Sequence, residues 1–235
     1  RPTMPLAHRA AFIQAVDTPN PESLKFVPTI MTVMEPSSDG RTGYSCTSVD
    51  DPTTPRLAKQ LLAIDGIKLV YLGVDFVTIT KLAQQKWKLL RPQVLTILMD
   101  WFERTNYQPM AYPQERNATI SNNTVVEDDD EIVELIHELM NARIRPAVQE
   151  DGGDIQFVEW DEATGIVKVQ LEGSCVGCPS SSVTLKQGVE NMLMHYIPEI
   201  KGVEAMEENE DEAMMREIQP KPLKTYEQRL ADAGI

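Results

Sequence analysis

Cysteine and histidine are scarce in this 235-residue chain, three of each. Three thiols, Cys46, Cys175 and Cys178, are too few for the disulfide framework of a small secreted domain and point to a reducing compartment. No apolar run approaches the length of a membrane span. Positive charge is also short, with 22 Lys and Arg against 36 Asp and Glu, a formal charge of -14. That balance argues against nucleic acid or an anionic membrane surface as the main partner and leaves a basic protein partner open. There is no Gly-rich phosphate loop and no acid–histidine–nucleophile grouping. What is present, 42% hydrophobic residues with 6% aromatics, is enough to build ordinary cores in one large domain or two small ones.

The chain is organised around Gly173-Ser174-Cys175-Val176-Gly177-Cys178-Pro179. A β-like run, Ile166 to Leu171, leads into it and an amphipathic helical run follows, so two thiols sit on a tight strand-to-helix connection. Pro179 suits a first helical turn, where a missing N–H costs little. Cys178 is then expected near a helix N-terminus, whose partial positive charge favours thiolate and leaves the pair ready to bind metal or exchange disulfides. A CxxC pair serves three chemistries: an internal redox disulfide, a zinc site or an iron–sulfur cluster.

The rest of the pattern divides in two. Phe12 to Val16 reads as a strand, and DTPNPESLKF (17–26) places a turn before a second one. Glu35 to Pro55 is rich in Ser, Thr, Asp and Pro and reads as a loop, with Cys46 alone inside it and given no role. A helix from Arg56 to Ile64, a hairpin of Ile67–Leu72 and Val74–Thr80 about Gly73, and a helix from Leu89 to Arg104 complete a first domain, 1–105. Residues 106–126, with chance sequons at Asn117 and Asn122, read as a linker. The second domain, 127–206, opens on an acidic cap with Asp128 and Glu131 at capping-box spacing. Ile132, Ile136, Leu139 and Met140 form the apolar face of its first helix, which Pro146 is expected to kink or end. EDGGD (150–154) breaks the chain, and Ile155–Trp160 pairs with Ile166–Leu171 about Thr164-Gly165. The helix after the cysteines should bury Leu185, Val189, Met192, Leu193 and Tyr196 and stop at Pro198, before a last strand, Gly202–Met206. The order is α-β-β-α-β, and the fold class is α+β: two small domains, the second with its CxxC loop ahead of its second helix. An acidic and mixed tail, 207–235, follows. The first residues, RPTMPLAHRAAF, are basic and free of acids, which suits either a frayed terminus or the end of a mitochondrial transit peptide.

Ligand counting narrows the chemistry without closing it. His195 follows Cys178 by 17 residues on the same helix, roughly 25 Å along its axis, so the two cannot share a metal in one chain. His137 sits beside core positions and reads as structural, and His8 is terminal. One chain therefore offers two metal ligands from one loop. Two chains about a two-fold axis would bring four thiolates together, a set that suits zinc or a 4Fe-4S cluster. A thioredoxin-like thiol–disulfide oxidoreductase would carry its CxxC after the first strand of a parallel βαβ unit, whereas here an antiparallel hairpin precedes it.

GSCVGCPSS with the helix after it, preceded by RPAVQEDGGDI, resembles the Nfu family of iron–sulfur cluster scaffold and carrier proteins over about residues 127–206. DTPNPESLKF, GVDFVTITK and the helix that follows are similar to the N-terminal domain of mitochondrial Nfu proteins. The stretch from Met31 to Thr54 departs from that pattern in being longer and more polar. The resemblance implies a non-catalytic protein of the mitochondrial matrix. Cys175 and Cys178 of each of two chains would hold a shared 4Fe-4S cluster. Partners would be a second copy of the chain, iron–sulfur assembly proteins, and apo-protein recipients such as lipoyl synthase or aconitase-like enzymes, with neither nucleic acid nor membrane among them.

Overall fold

In the computed structural model, residues 12–29, 31–37, 41–113, 130–178 and 185–206 are described. The basic stretch up to Ala11, the sequons, Asp128 of the expected capping box, Pro179 and the tail from 207 lie outside them. The described elements mix helices with two sheets, as an α+β reading requires.

The first sheet is antiparallel throughout, in the order β1-β2-β5-β4-β3. Its strands are β1 (Ile13–Asp17), β2 (Ser23–Pro28), β3 (Gly43–Cys46), β4 (Ile67–Gly73) and β5 (Val77–Lys81). Helices α1 (Arg56–Leu62) and α2 (Trp87–Arg104) cover one face. Phe26, Val70, Leu72, Val77 and Ile79 meet Leu57 and Leu61 of α1 and Val94, Leu98 and Phe102 of α2 there. The strand β3 lies inside the stretch read as a loop. It pairs with β4, Cys46 opposite Val70, so the Cys46 thiol is 2% exposed in the core. Residues 106–113 stay with this core: Tyr107, Met110 and Tyr112 pack against it, and Met110 bridges to Met34.

Strands β4 and β5 are buried on both faces. In Val77-Thr78-Ile79-Thr80 the aliphatic residues turn to the helices and the threonines away from them, following the period-2 alternation of a strand. Thr78 is nevertheless 0% exposed. A second layer covers that face, formed by the C-terminal half of the chain, and both sheets belong to one compact unit.

That half begins with α3 (Asp130–Leu139), passes through a turn of π-helix at Met140–Ile144, and continues as α4 (Arg145–Glu150). Ile136, Met140, Ile144 and Val148 form one buried stripe at four-residue spacing. On a regular α-helix such a stripe drifts by about 40° per step, and the wider π turn takes up the drift. It also places Pro146 in the first turn of α4, where proline is tolerated, so the helical path does not end at the proline but runs on to Glu150. Strands β6 (Gly153–Asp161) and β7 (Ile166–Gly173) form the expected hairpin, and β8 (Gly202–Met206) lies on the other side of β7. Helix α5 (Lys186–Tyr196) closes the core with Val189 and Leu193. Tyr196, expected in the buried stripe, is 50% exposed; Ile197, past the end of the helix, takes the core position instead.

Candidate metal centre

Strand β7 ends in a run of tight turns that sets the two thiols. Cys175 N–H donates to the Glu172 carbonyl (3.3 Å), Val176 N–H to that of Gly173 (3.3 Å), and Cys178 N–H to that of Cys175 (3.4 Å). Gly173 makes the turn possible with φ +65, a left-handed conformation that costs other residues energy. The loop is anchored from behind: Ser174 N–H donates to the Gly152 carbonyl (3.3 Å), and its hydroxyl donates to that of Asp151 (2.7 Å). The EDGGD segment is therefore the seat of the CxxC loop.

Gly153 is the closest neighbour in that seat. A Cβ built on it would stand 2.4 Å from Cys175 Sγ, well inside contact distance. Gly153→Ala should push the thiol or the strand aside, at about 1–3 kcal/mol of stability for overpacking. Urea unfolding of the two proteins at matched concentration checks it, and an unchanged midpoint would show that the seat is looser than drawn.

Cys175 is 7% and Cys178 3% exposed. Both line a cavity of about 450 Å³ together with Ile144, Val148, Met192 and, from the first sheet's side, Asn20. This differs from the expected pair of ready thiolates. Burial pushes the Cys175 thiol up to about 12; a hydrogen bond from Ser174 works against that, while Cys178, Asp151 and Asp154 add to it. A bound cation reverses this logic, since coordination deprotonates a thiol outright. The first helical turn expected at Pro179 lies outside the described residues.

Among the described residues, no group of three or more His, Cys, Asp or Glu lies close enough to hold a metal ion. The segment 179–184, PSSSVT, adds no thiol, imidazole or carboxylate. His195 is exposed and rests edge-on against Tyr196, and the His137 ring stands edge-on to Phe157 at 4.8 Å. Cys46 is in the other core. The side chains here that could donate to a metal are the thiols of Cys175 and Cys178.

Two groups of residues around the site were not singled out by sequence reasoning. Asn20 Nδ2 donates to the carbonyls of Ser174 (3.0 Å) and Val176 (3.5 Å), reaching the CxxC loop from the turn between β1 and β2. Asp154, 0% exposed, accepts hydrogen bonds from Tyr71 Oη (2.9 Å), Thr42 Oγ1 (2.9 Å), Arg145 Nε (3.1 Å) and Ile155 N–H (2.8 Å). The second aspartate of EDGGD and the NP turn at Asn20 were visible, but the partners that link them to the other half, Tyr71 and Thr42 for Asp154 and Ser174 for Asn20, are more than 80 residues away in sequence.

Fold and site define a class: a two-part α+β protein whose second part, α-β-β-α-β, carries a paired-thiol turn ahead of its last helix. The family described as "NifU-like domain" matches residues 136–204, and "Scaffold protein Nfu/NifU N terminal" matches 13–105. "NifU-like protein 5, mitochondrial" of Arabidopsis thaliana is 46% identical over 205 residues, 87% of this chain and 71% of its own length. "NFU1 iron-sulfur cluster scaffold homolog, mitochondrial" of Drosophila yakuba is 42% identical over 234 residues, 98% of this chain and 78% of its own. The chain belongs to the Nfu (NifU-like) family, and it is a mitochondrial-type member.

Proposed function

We propose that this chain is an iron–sulfur cluster scaffold and carrier of the mitochondrial matrix, holding a 4Fe-4S cluster as cargo between two copies of itself. Cys175 and Cys178 of each copy are the ligands. The observation that carries the reading is the donor count: two thiols on one turn, with no third metal donor grouped with them among the described residues. A cluster asks for about four protein ligands, and a second copy of the same turn supplies the missing pair. The cargo is supported by the Drosophila relative, which is named as an iron-sulfur cluster scaffold homolog.

The division of labour follows the two families matched. Residues 127–206 hold the cargo, and the N-terminal domain, 1–105, extends through the residues up to 113 that pack on its core. Delivery is ligand exchange, not redox chemistry: a thiolate of the recipient displaces Cys175 or Cys178 at an iron, and the freed thiolate takes up a proton. The buried, high-pKa setting of Cys175 favours this release, because the unliganded sulfur returns to its neutral form. Recipients are apo-proteins with free cysteines, such as lipoyl synthase or aconitase-like enzymes. No turnover is required of the chain itself.

The test is sedimentation of protein reconstituted without oxygen, with protein and cluster absorbance followed separately. The expected result is a brown dimer, or a multiple of one, beside a mainly monomeric apo form at micromolar concentration. A brown monomer overturns the shared site. A colourless dimer that holds zinc overturns the cargo.

A further inference from the structure

In this structure the first sheet sits on the loop that carries the thiols, which a second chain would have to reach. Asn20 bonds the backbone on both sides of Cys175, through Ser174 and Val176. The Val176 side chain packs on Leu69, Tyr71 and Phe76, on the sheet face turned away from α1 and α2. Thr78 Oγ1 donates to the Gly152 carbonyl (2.6 Å) beneath the loop, and Lys25 Nζ donates to the Gln149 carbonyl (2.7 Å) at the end of α4. Asp154 ties Thr42 and Tyr71 into the same contact.

From this we infer that the N-terminal sheet is a detachable cover over the CxxC loop, and that a second chain, and the cargo, gain access only when it lifts. The inference rests on the shared-site reading for its purpose; the cover itself is a property of the apo chain. Two of its features make it detachable. The contact is largely polar, of the kind seen between domains that move, with a small apolar patch around Val27, Leu69, Phe76 and Val176. And each half retains its own buried cluster when the two part. Docking and pairing then compete for one face, so the affinity for a second chain is reduced by the fraction of molecules that are open.

Cys46 is an internal control. It is buried in the core of the first sheet, so it is exposed when that domain unfolds and not when the domain lifts away. The experiment is iodoacetamide labelling of the reduced, full-length apo-protein, with each cysteine quantified by peptide mass spectrometry. Two variants remove hydrogen bonds of the cover from different places: Asn20→Ala loses the pair from the β1–β2 turn, and Thr78→Val loses the one from β5. Each should raise labelling of Cys175 and Cys178 together, by about fivefold for a lost bond of ordinary strength, with Cys46 unchanged. Hydrogen exchange on the unaltered chain provides a reading that no variant can spoil: the amides of 174–178 should open more readily than those of β3 around Cys46. Equal protection in the two segments, or labelling of Cys175 and Cys178 unmoved in both variants, overturns the cover.

Cluster loading separates this inference from the reading beneath it. If both hold, the variants load cargo faster by the same factor as they label. Faster labelling in variants that never load would leave the cover standing and remove the cargo. Loading with labelling and loading rates both unmoved would remove the cover and leave the cargo.

Discussion

Cys175→Ala and Cys178→Ala should each leave the protein colourless after anaerobic reconstitution, against about four irons per two chains for the unaltered protein. The loss is expected to be near total. In a site shared by two chains, one substitution removes two of the four sulfur ligands, because the same residue is missing from both copies. Cys46→Ala should keep full colour. Its thiol lies in the core of the first sheet, on the other side from Val176, and its loss should cost about 1 kcal/mol of stability, as a typical point substitution does. Iron and sulfide assays on the three variants, read beside their circular dichroism, decide the matter. Full loading of Cys178→Ala would sink the ligand assignment. The same preparations address the oxidoreductase alternative: a chain that reduces model disulfides at thioredoxin-like rates with a reductase present would displace the carrier reading.

Much of the fold that positions these thiols is written in local patterns. The period-2 run Val167, Val169, Leu171 and the stripe Val189–Leu193 are short-range signals, and each corresponds to an observed element. The α-β-β-α-β order follows from them. What escaped depends on partners far along the chain. Gly43–Cys46 is only four residues long among Ser, Thr and Asp, and becomes a strand because the β4 edge is free to receive it. The π turn at Met140–Ile144 leaves no mark in residue type; only the four-residue spacing of Ile136, Met140, Ile144 and Val148 hints at it. Most consequential is the cover. In VTITK the threonines have the alternation of a solvent face, and nothing local says that Gly152 waits to accept from Thr78. Likewise CxxC next to glycines suggests ready thiolates, whereas Cys175 is buried in the core of its own half, on a loop whose Ser174 carbonyl is held by Asn20, 154 positions earlier.

The same long-range contact should make Asp154 the most sensitive polar residue in the protein. Its carboxylate is completely buried and bonded on both oxygens, Oδ1 to Arg145 Nε and the Ile155 N–H, Oδ2 to Tyr71 and Thr42. Arg145 is itself mostly buried, with its side chain 13% exposed. Asp154→Ala takes the carboxylate from a buried guanidinium and from the Tyr71 hydroxyl at once, and breaking a buried pair in this way costs about 3–5 kcal/mol. Asp154→Asn keeps the shape and one acceptor oxygen and removes the charge, so its cost should be smaller, about 1.5–3 kcal/mol for hydrogen bonds that lose their charged partner. The position of the four donors adds a second expectation. Arg145 and Ile155 belong to the C-terminal half, while Tyr71 and Thr42 belong to the first sheet, so Asp154→Ala weakens one fold internally and also the contact between the two. Urea unfolding should show this as a lower midpoint and as a transition that broadens or separates in two, because a chain whose halves no longer stabilise each other ceases to unfold as one unit. A double-mutant cycle with Tyr71→Phe isolates the contact: the two substitutions should be coupled by at least about 0.5 kcal/mol, as residues sharing a buried hydrogen bond are. Strict additivity, or an Asp154→Ala cost within about 0.5 kcal/mol of zero as for an exposed site, would mean that this carboxylate does not join the halves.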